Sequence, residues 1–221
     1  MEQKSILTER QKFLLKIISE NTLITDSFYL GGGTALVEFY LQHRYSEDLD
    51  FFSENEVDPQ AVSVFLHSIK ETIGMKKFDF QQSFNRNLFF LHFADEIIKT
   101  EFTYYPFPRI ESTKKLGTLQ IDSLIDIATN KLFTIYQNPR SRDYIDLYCI
   151  IQKTGFTLDD LIQKAQAKFI WNIDYLQLGS QFLRCTELKD YPRMIQDIDE
   201  KKWQDYFLEQ AKLFEKKILE K

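Results

Sequence analysis

The stretch YLGGGTALVEFYLQHRYSEDLDFF, residues 29–52, decides the reading of this chain. It places three consecutive glycines ahead of a segment with helical spacing, then Asp48-Leu49-Asp50. The whole chain has only 7 glycines, so three together mark a backbone requirement. Upstream, SFYLGG reads as a short strand entering a tight turn. Residues 34–43 carry Ala35, Leu36, Phe39 and Tyr40 at the spacing of one helical face. LDFFS then reads as a short apolar strand. One helix between them returns the second strand to the side of the glycine turn.

On a strand, residues i and i+2 point the same way, with Cβ atoms roughly 6–7 Å apart. Asp48 and Asp50 therefore share a face while Leu49 turns to the core. Two adjacent carboxylates repel, and a cation between them lets both stay ionised. Mg²⁺ suits the place, because it accepts one or two carboxylates plus substrate phosphates. A glycine turn opening a helix presents backbone N–H groups to a phosphate, and the helix dipole adds to the attraction. Gly32, Gly33 and Thr34 are the expected phosphate cradle, with the Thr34 hydroxyl capping the helix or touching phosphate. Arg44 and Ser46 precede the metal strand as further phosphate contacts, unless Arg44 pairs with Asp48 or Asp50.

A two-metal site asks for a third carboxylate that also positions the attacking hydroxyl. Glu101, in IIKTEFTYY, is the candidate, as a third metal ligand and catalytic group. It competes with a plain reading as an outward-facing glutamate. Asp95 and Glu96 read as hairpin residues.

The rest of the chain sets the frame. It has 221 residues, 43% hydrophobic and 28% charged, which is globular composition with room for a substantial core. Its formal charge of -5 argues against a protein that simply coats nucleic acid. A local basic entrance from Lys114, Lys115, Arg140 and Arg142 remains open. Cys149 and Cys185 lie far apart with no metal spacing and read as free thiols. No run has the length of a membrane span, so a soluble, cytoplasmic protein is expected.

Ser5 or Thr8 caps a first helix to about residue 19. Pro59 opens another that ends near Gly74. Residues 76–105 partly alternate and are rich in Phe, Tyr, Ile and Thr, predicting three antiparallel strands with turns at residues 85–87 and 94–96. After Gly117 the pattern is helical. Helices are expected over residues 122–136 and 143–153, then from a Thr157 cap onward, with a break at Tyr191-Pro192. The expected fold class is α/β (α+β), in two domains: residues 1–117 as the sheet module and residues 118–221 as a helical domain completing a nucleotide cleft. His43, His67 and His92 form no triad or metal spacing.

With these residues in place, the glycine-to-DLDFF stretch resembles the first motif of the nucleotidyltransferase-fold toxins of the AbiEii/AbiGii abortive-infection group. IKTEFTYYP is similar to that family's strand with a third acidic residue, commonly Asp, here Glu101. IDSLIDIATNKLFTIYQNPRSRDYIDLYCI resembles its second block, with Lys131, Arg140, Arg142, Asp143 and Asp146 in the expected places. The resemblance covers roughly residues 28–151. It implies a nucleotidyltransferase-type mixed or antiparallel sheet flanked by helices, and a Mg²⁺-dependent enzyme moving an NMP from an NTP to an acceptor hydroxyl. Lys131 would bind the nucleotide and offset charge on departing pyrophosphate. Asp143 caps its helix, orients Lys131 or acts as a base, and internal ion pairing by Asp143 and Asp146 fits as well. The family further implies a toxin with a cognate antitoxin partner in phage defence. The acceptor is open between RNA, with transfer RNA foremost, and a small molecule such as an antibiotic. A non-catalytic nucleotide-binding interaction module is the alternative from another class.

Overall fold

The computed structural model describes residues 5–219, with side chains through residue 216. Among these residues seven strands form one sheet. They are β1 (Tyr29–Gly31), β2 (Leu49–Ser53), β3 (Lys77–Ser83), β4 (Arg86–His92), β5 (Ile97–Tyr104), β6 (Lys114–Leu116) and β7 (Leu119–Ile121). Their order is β3-β4-β5-β2-β1-β7-β6. The sheet is mixed: β2 runs parallel to β5 and β1 parallel to β7, while the other neighbours are antiparallel. The expected α/β class with a mixed sheet is what forms.

The chain divides into two units. The first holds the sheet and comprises Met1–Tyr40, Ser46–Pro108 and Ser112–Ser123. Its helices are α1 (Glu9–Ser19), α2 (Thr22–Thr25), α3 (Gly32–Leu36) and α4 (Pro59–Ile73). Thr8 caps α1 in a reciprocal box with Gln11. Asp58 caps α4, and Gly74 ends it in the left-handed conformation. One sheet face carries Leu49, Phe51, Phe89, Leu91, Ile98 and Phe102, all buried. Phe51 and Phe102 stack at 4.9 Å, and His67 of α4 meets Phe78 edge-on at 4.9 Å. Alternation within each strand sends Asp50, Lys99, Glu101 and Arg86 to the opposite face.

The second unit comprises Leu41–Tyr45, Arg109–Glu111 and Leu124–Lys221. It contains α5 (Leu124–Gln137), α6 (Ser141–Thr154), α7 (Leu158–Phe169), α8 (Tyr175–Leu183) and α9 (Glu200–Leu219). Tyr144, Phe182, Trp203, Phe207 and Phe214 are among its buried rings. No helix of the described residues is long and apolar enough to cross a membrane.

Three expectations need correction. The boundary at residue 117 falls inside the β6–β7 hairpin, and the first unit continues through Ser123. Gly117 serves as a hairpin turn with φ +59, where an added Cβ would stand 2.8 Å from the Ser19 carbonyl oxygen. The helix expected over residues 34–43 starts at Gly32 and changes at Val37 to a π-helical turn, Val37–Leu41. The residues that follow it, Leu41–Tyr45, belong to the helical unit, as do Arg109–Glu111.

Candidate active site

Strand register builds the carboxylate site. Gly31 pairs with Asp50, Asp50 with Glu101, and Glu101 with Leu88, in one row across β1, β2, β5 and β4. Asp50 and Glu101 are thus lateral neighbours on parallel strands, whose axes lie about 4.8 Å apart. Asp48 lies just ahead of β2 on the same side. Leu49 between them is fully buried, so the two aspartates cannot exchange faces.

The glycine turn packs against this row. Gly32 has φ +68, and a Cβ there would come within 2.6 Å of Asp50 Oδ2. Glycine is required twice over, by conformation and by space. A Cβ on Gly31 would stand 2.8 Å from the Phe52 ring. Gly32 and Gly33 are half-buried and keep backbone accessible, whereas Thr34 is fully buried. The Thr34 hydroxyl bonds the Ser46 hydroxyl at 2.8 Å and donates to the Asp48 carbonyl. Thr34, expected to cap the helix or touch phosphate, and Ser46, expected at phosphate, tie the turn to the segment entering β2.

Each outer carboxylate carries a cation. Lys99 Nζ donates to Asp48 Oδ2 at 2.7 Å. Arg86 grips Glu101 with both arms of its fork, Nε to Oε1 and Nη2 to Oε2, each at 2.6 Å. The Thr103 hydroxyl adds a bond to Oε1 at 2.8 Å. Burial alone would raise the Glu101 pKa. The hydrogen bonds and charge of Arg86, with Thr103 and Lys99, outweigh it and hold the carboxyl below its ordinary value. Arg86 was not among the expected site residues. The turn expected at residues 85–87 puts it in the loop; the turn falls at residues 84–85, which sets Arg86 in β4, diagonally across from Glu101.

These donors suit a hard ion. Asp48 and Asp50 offer oxygen donors, while Lys99 already pairs with Asp48 and Arg86 with Glu101. Among the described residues no three His, Cys, Asp or Glu side chains stand grouped as a complete metal cage.

The second expected block lies in the helical unit and is tightly paired. Lys131 Nζ, on α5, reaches Asp143 Oδ1 at 2.7 Å and Asp146 Oδ2 at 2.6 Å on α6. Asp143 also accepts from the Arg140 backbone N–H at 3.1 Å. Asp146 is fully buried and accepts from Arg44 Nε at 2.7 Å and Nη2 at 2.8 Å, with His43 Nε2 at 2.8 Å. Burial opposes its ionisation. The charges of Lys131 and Arg44 and the hydrogen bonds of Arg44 and His43 nevertheless hold it well below the carboxylate range. Arg44, expected at phosphate or at the DxD carboxylates, is 2% exposed and spends its fork on Asp146. Burial works against its charge too, and Asp146 more than restores it.

A family model described as "Nucleotidyl transferase AbiEii toxin, Type IV TA system" matches residues 14–218. An uncharacterized protein of Aquifex aeolicus (strain VF5), aq_aa25, is 28% identical over 223 residues, covering 98% of each chain. The crystal structure of JHP933 from Helicobacter pylori superposes with a TM-score of 0.58 at 20% identity, over 97% of this chain and 95% of that one. A second Helicobacter pylori crystal structure gives 0.60 at 20% identity, over 97% and 98%. At that identity the two structures speak for the fold.

Proposed function

The chain belongs to the AbiEii nucleotidyl transferase toxin family, and from that premise we propose that it transfers a nucleoside monophosphate from an NTP to an acceptor hydroxyl. The acceptor oxygen bonds the α-phosphorus, the bond from α-phosphorus to the bridging oxygen breaks, and pyrophosphate leaves. The observation that carries this reading is the Gly31–Asp50–Glu101 row with Gly32 packed on Asp50. It sets an accessible glycine turn beside paired carboxylates.

Asp48 and Asp50 would hold Mg²⁺; Glu101, expected as a third ligand, has both oxygens in the Arg86 fork. When bound, the ion would supply charge neutralisation for the phosphates. The backbone N–H groups of Gly32 and Gly33 approach the phosphate tail, and Thr34 and Ser46 fix the turn that presents them. Glu101, kept ionised by Arg86, orients the acceptor hydroxyl. Lys131, positioned by Asp143 and Asp146, is the cation proposed to offset charge on pyrophosphate, which is electrostatic stabilisation. The favoured acceptor is RNA, transfer RNA foremost. The biological role is that of a toxin held by a cognate antitoxin.

The test is pyrophosphate release from each common NTP, with Mg²⁺ and total RNA. Wild type should release it, and Asp48→Asn/Asp50→Asn should fall by at least about 10³-fold while keeping its melting temperature. Equal release by the two proteins would remove the carboxylates from the mechanism.

A further inference from the structure

The β3–β4 hairpin has a feature that the carboxylate site does not use. Ser83 pairs with Arg86, so the loop is only Phe84-Asn85. Phe84 has φ +51, and Asn85 is not among the residues of positive φ. A two-residue loop with positive φ at its first position alone is the II′ pattern, which favours Gly there. A phenylalanine in that place is strained. Phe84 is 97% exposed, so no packing of its ring offsets the strain. Strain kept at an exposed aromatic directs attention to a ligand outside the protein.

Its position says which ligand. The hairpin ends one residue beyond the row Ser83–Arg86–Thr103–Phe52. That row is two residues, about 7 Å along the strands, past the Asp50–Glu101 row. The tip is tied to β5, since the Tyr104 N–H donates to the Asn85 carbonyl at 3.0 Å. The clamp on Glu101 therefore leads directly into the turn that carries Phe84. Arg86, two residues past Phe84, is the basic residue at this end of the hairpin. Single-stranded nucleic acid is bound by aromatic platforms with a cation close by.

We propose that Phe84 is a stacking platform for an unpaired base of a polynucleotide acceptor, placed by the hairpin beside the carboxylate row. The proposal rests on the RNA-acceptor reading above and assigns it a contact. Arg86, paired with Glu101, links the hairpin tip to the carboxylate row.

The test is direct binding, which does not depend on turnover. A fluorescein-labelled single-stranded 12-mer RNA of mixed sequence is titrated and followed by anisotropy at low and moderate salt. Phe84→Ala should weaken binding about tenfold, the scale of one lost base stack. Phe84→Trp should match wild type or exceed it, and Phe84→Leu should behave like Phe84→Ala. Phe84→Gly separates binding from folding: it relieves the turn, so its melting temperature should hold or rise while RNA binding falls. Equal affinity for wild type and Phe84→Gly, full binding by Phe84→Leu, or no binding by wild type would each overturn the proposal. If Asp48→Asn/Asp50→Asn transfers nucleotide as wild type does while Phe84→Ala still weakens RNA binding, the catalytic reading fails and the platform stands.

Discussion

At the scale of the residue, Gly32 is the most constrained position near the site. Gly32→Ala brings both a left-handed φ and a Cβ at 2.6 Å from Asp50 Oδ2. The expected loss is about 1–3 kcal/mol in denaturant unfolding, together with loss of transfer. Wild-type stability in this variant would show that the turn can open away from β2. Lys131 bridges two buried carboxylates, so Lys131→Met leaves Asp146 to Arg44 and His43 and Asp143 to Arg140 alone. A loss of about 3–5 kcal/mol is expected by urea titration, so its activity must be judged on folded protein. The thiols give a third prediction. Burial first, then the Asp146 charge, pushes Cys149 up to about 12, and burial pushes Cys185 up to about 11. Neither should react appreciably with a thiol reagent at neutral pH until the protein is unfolded; rapid labelling of the native state would contradict the packing described. The DxD and glycine residues were legible in the sequence because their chemistry is local. Arg44 was not, since its partner Asp146 lies 102 residues away and only folding brings the two together.

At the scale of the element, the long periodic segments were legible and the short ones were not. β3, β4 and β5 run 7 or 8 residues each and are rich in Phe, Ile and Thr with partial alternation, which is enough to reveal a strand. β6 and β7 have three residues each, too few for alternation to stand out, so their hairpin was read as a boundary. The π-helical turn at Val37–Leu41 was also hidden, because one extra residue in a turn hardly alters an apolar stripe. Two short connecting segments are held in the helical unit by buried acids on its first helices. Asp146 takes His43 and Arg44, while Asp126 accepts from the Ile110 and Glu111 backbone and pairs with Lys168 at 2.7 Å. The pH dependence follows from Asp146. Its folded pKa is depressed, so its stabilisation is fully present above the unfolded value of about 3.9 and is lost as pH falls below that. Asp146→Asn should therefore destabilise the protein most at neutral pH and flatten the acid limb of stability, as followed by circular dichroism. An unchanged acid limb would mean that other carboxylates govern it.

At the scale of the whole molecule, family membership and mixed-sheet fold agree with a charge distribution that is acidic in sum and basic only locally. RNA binding by such a chain should involve few phosphate contacts. A shallow dependence of affinity on salt is expected, with a slope in log–log form of about -1 to -3. A slope near -6 or steeper would reveal a larger basic surface than the hairpin supplies. The division into units was half legible: the helical periodicity after residue 122 is clear in the sequence. The assignment of Leu41–Tyr45 and Arg109–Glu111 to the helical unit has no periodic signature. It comes from pairings such as Arg44 with Met194, across 150 residues of chain.

The central claim is nucleotidyl transfer at the glycine–carboxylate row, and one measurement tests it most directly. Purified protein is incubated with total RNA, Mg²⁺ and each common NTP labelled at its α-phosphate, beside Asp48→Asn/Asp50→Asn. The prediction is label on RNA with wild type and one preferred NTP, and none with the variant. Label on RNA from both proteins would contradict the site, and label on no RNA from either, with active NTP turnover, would contradict the acceptor.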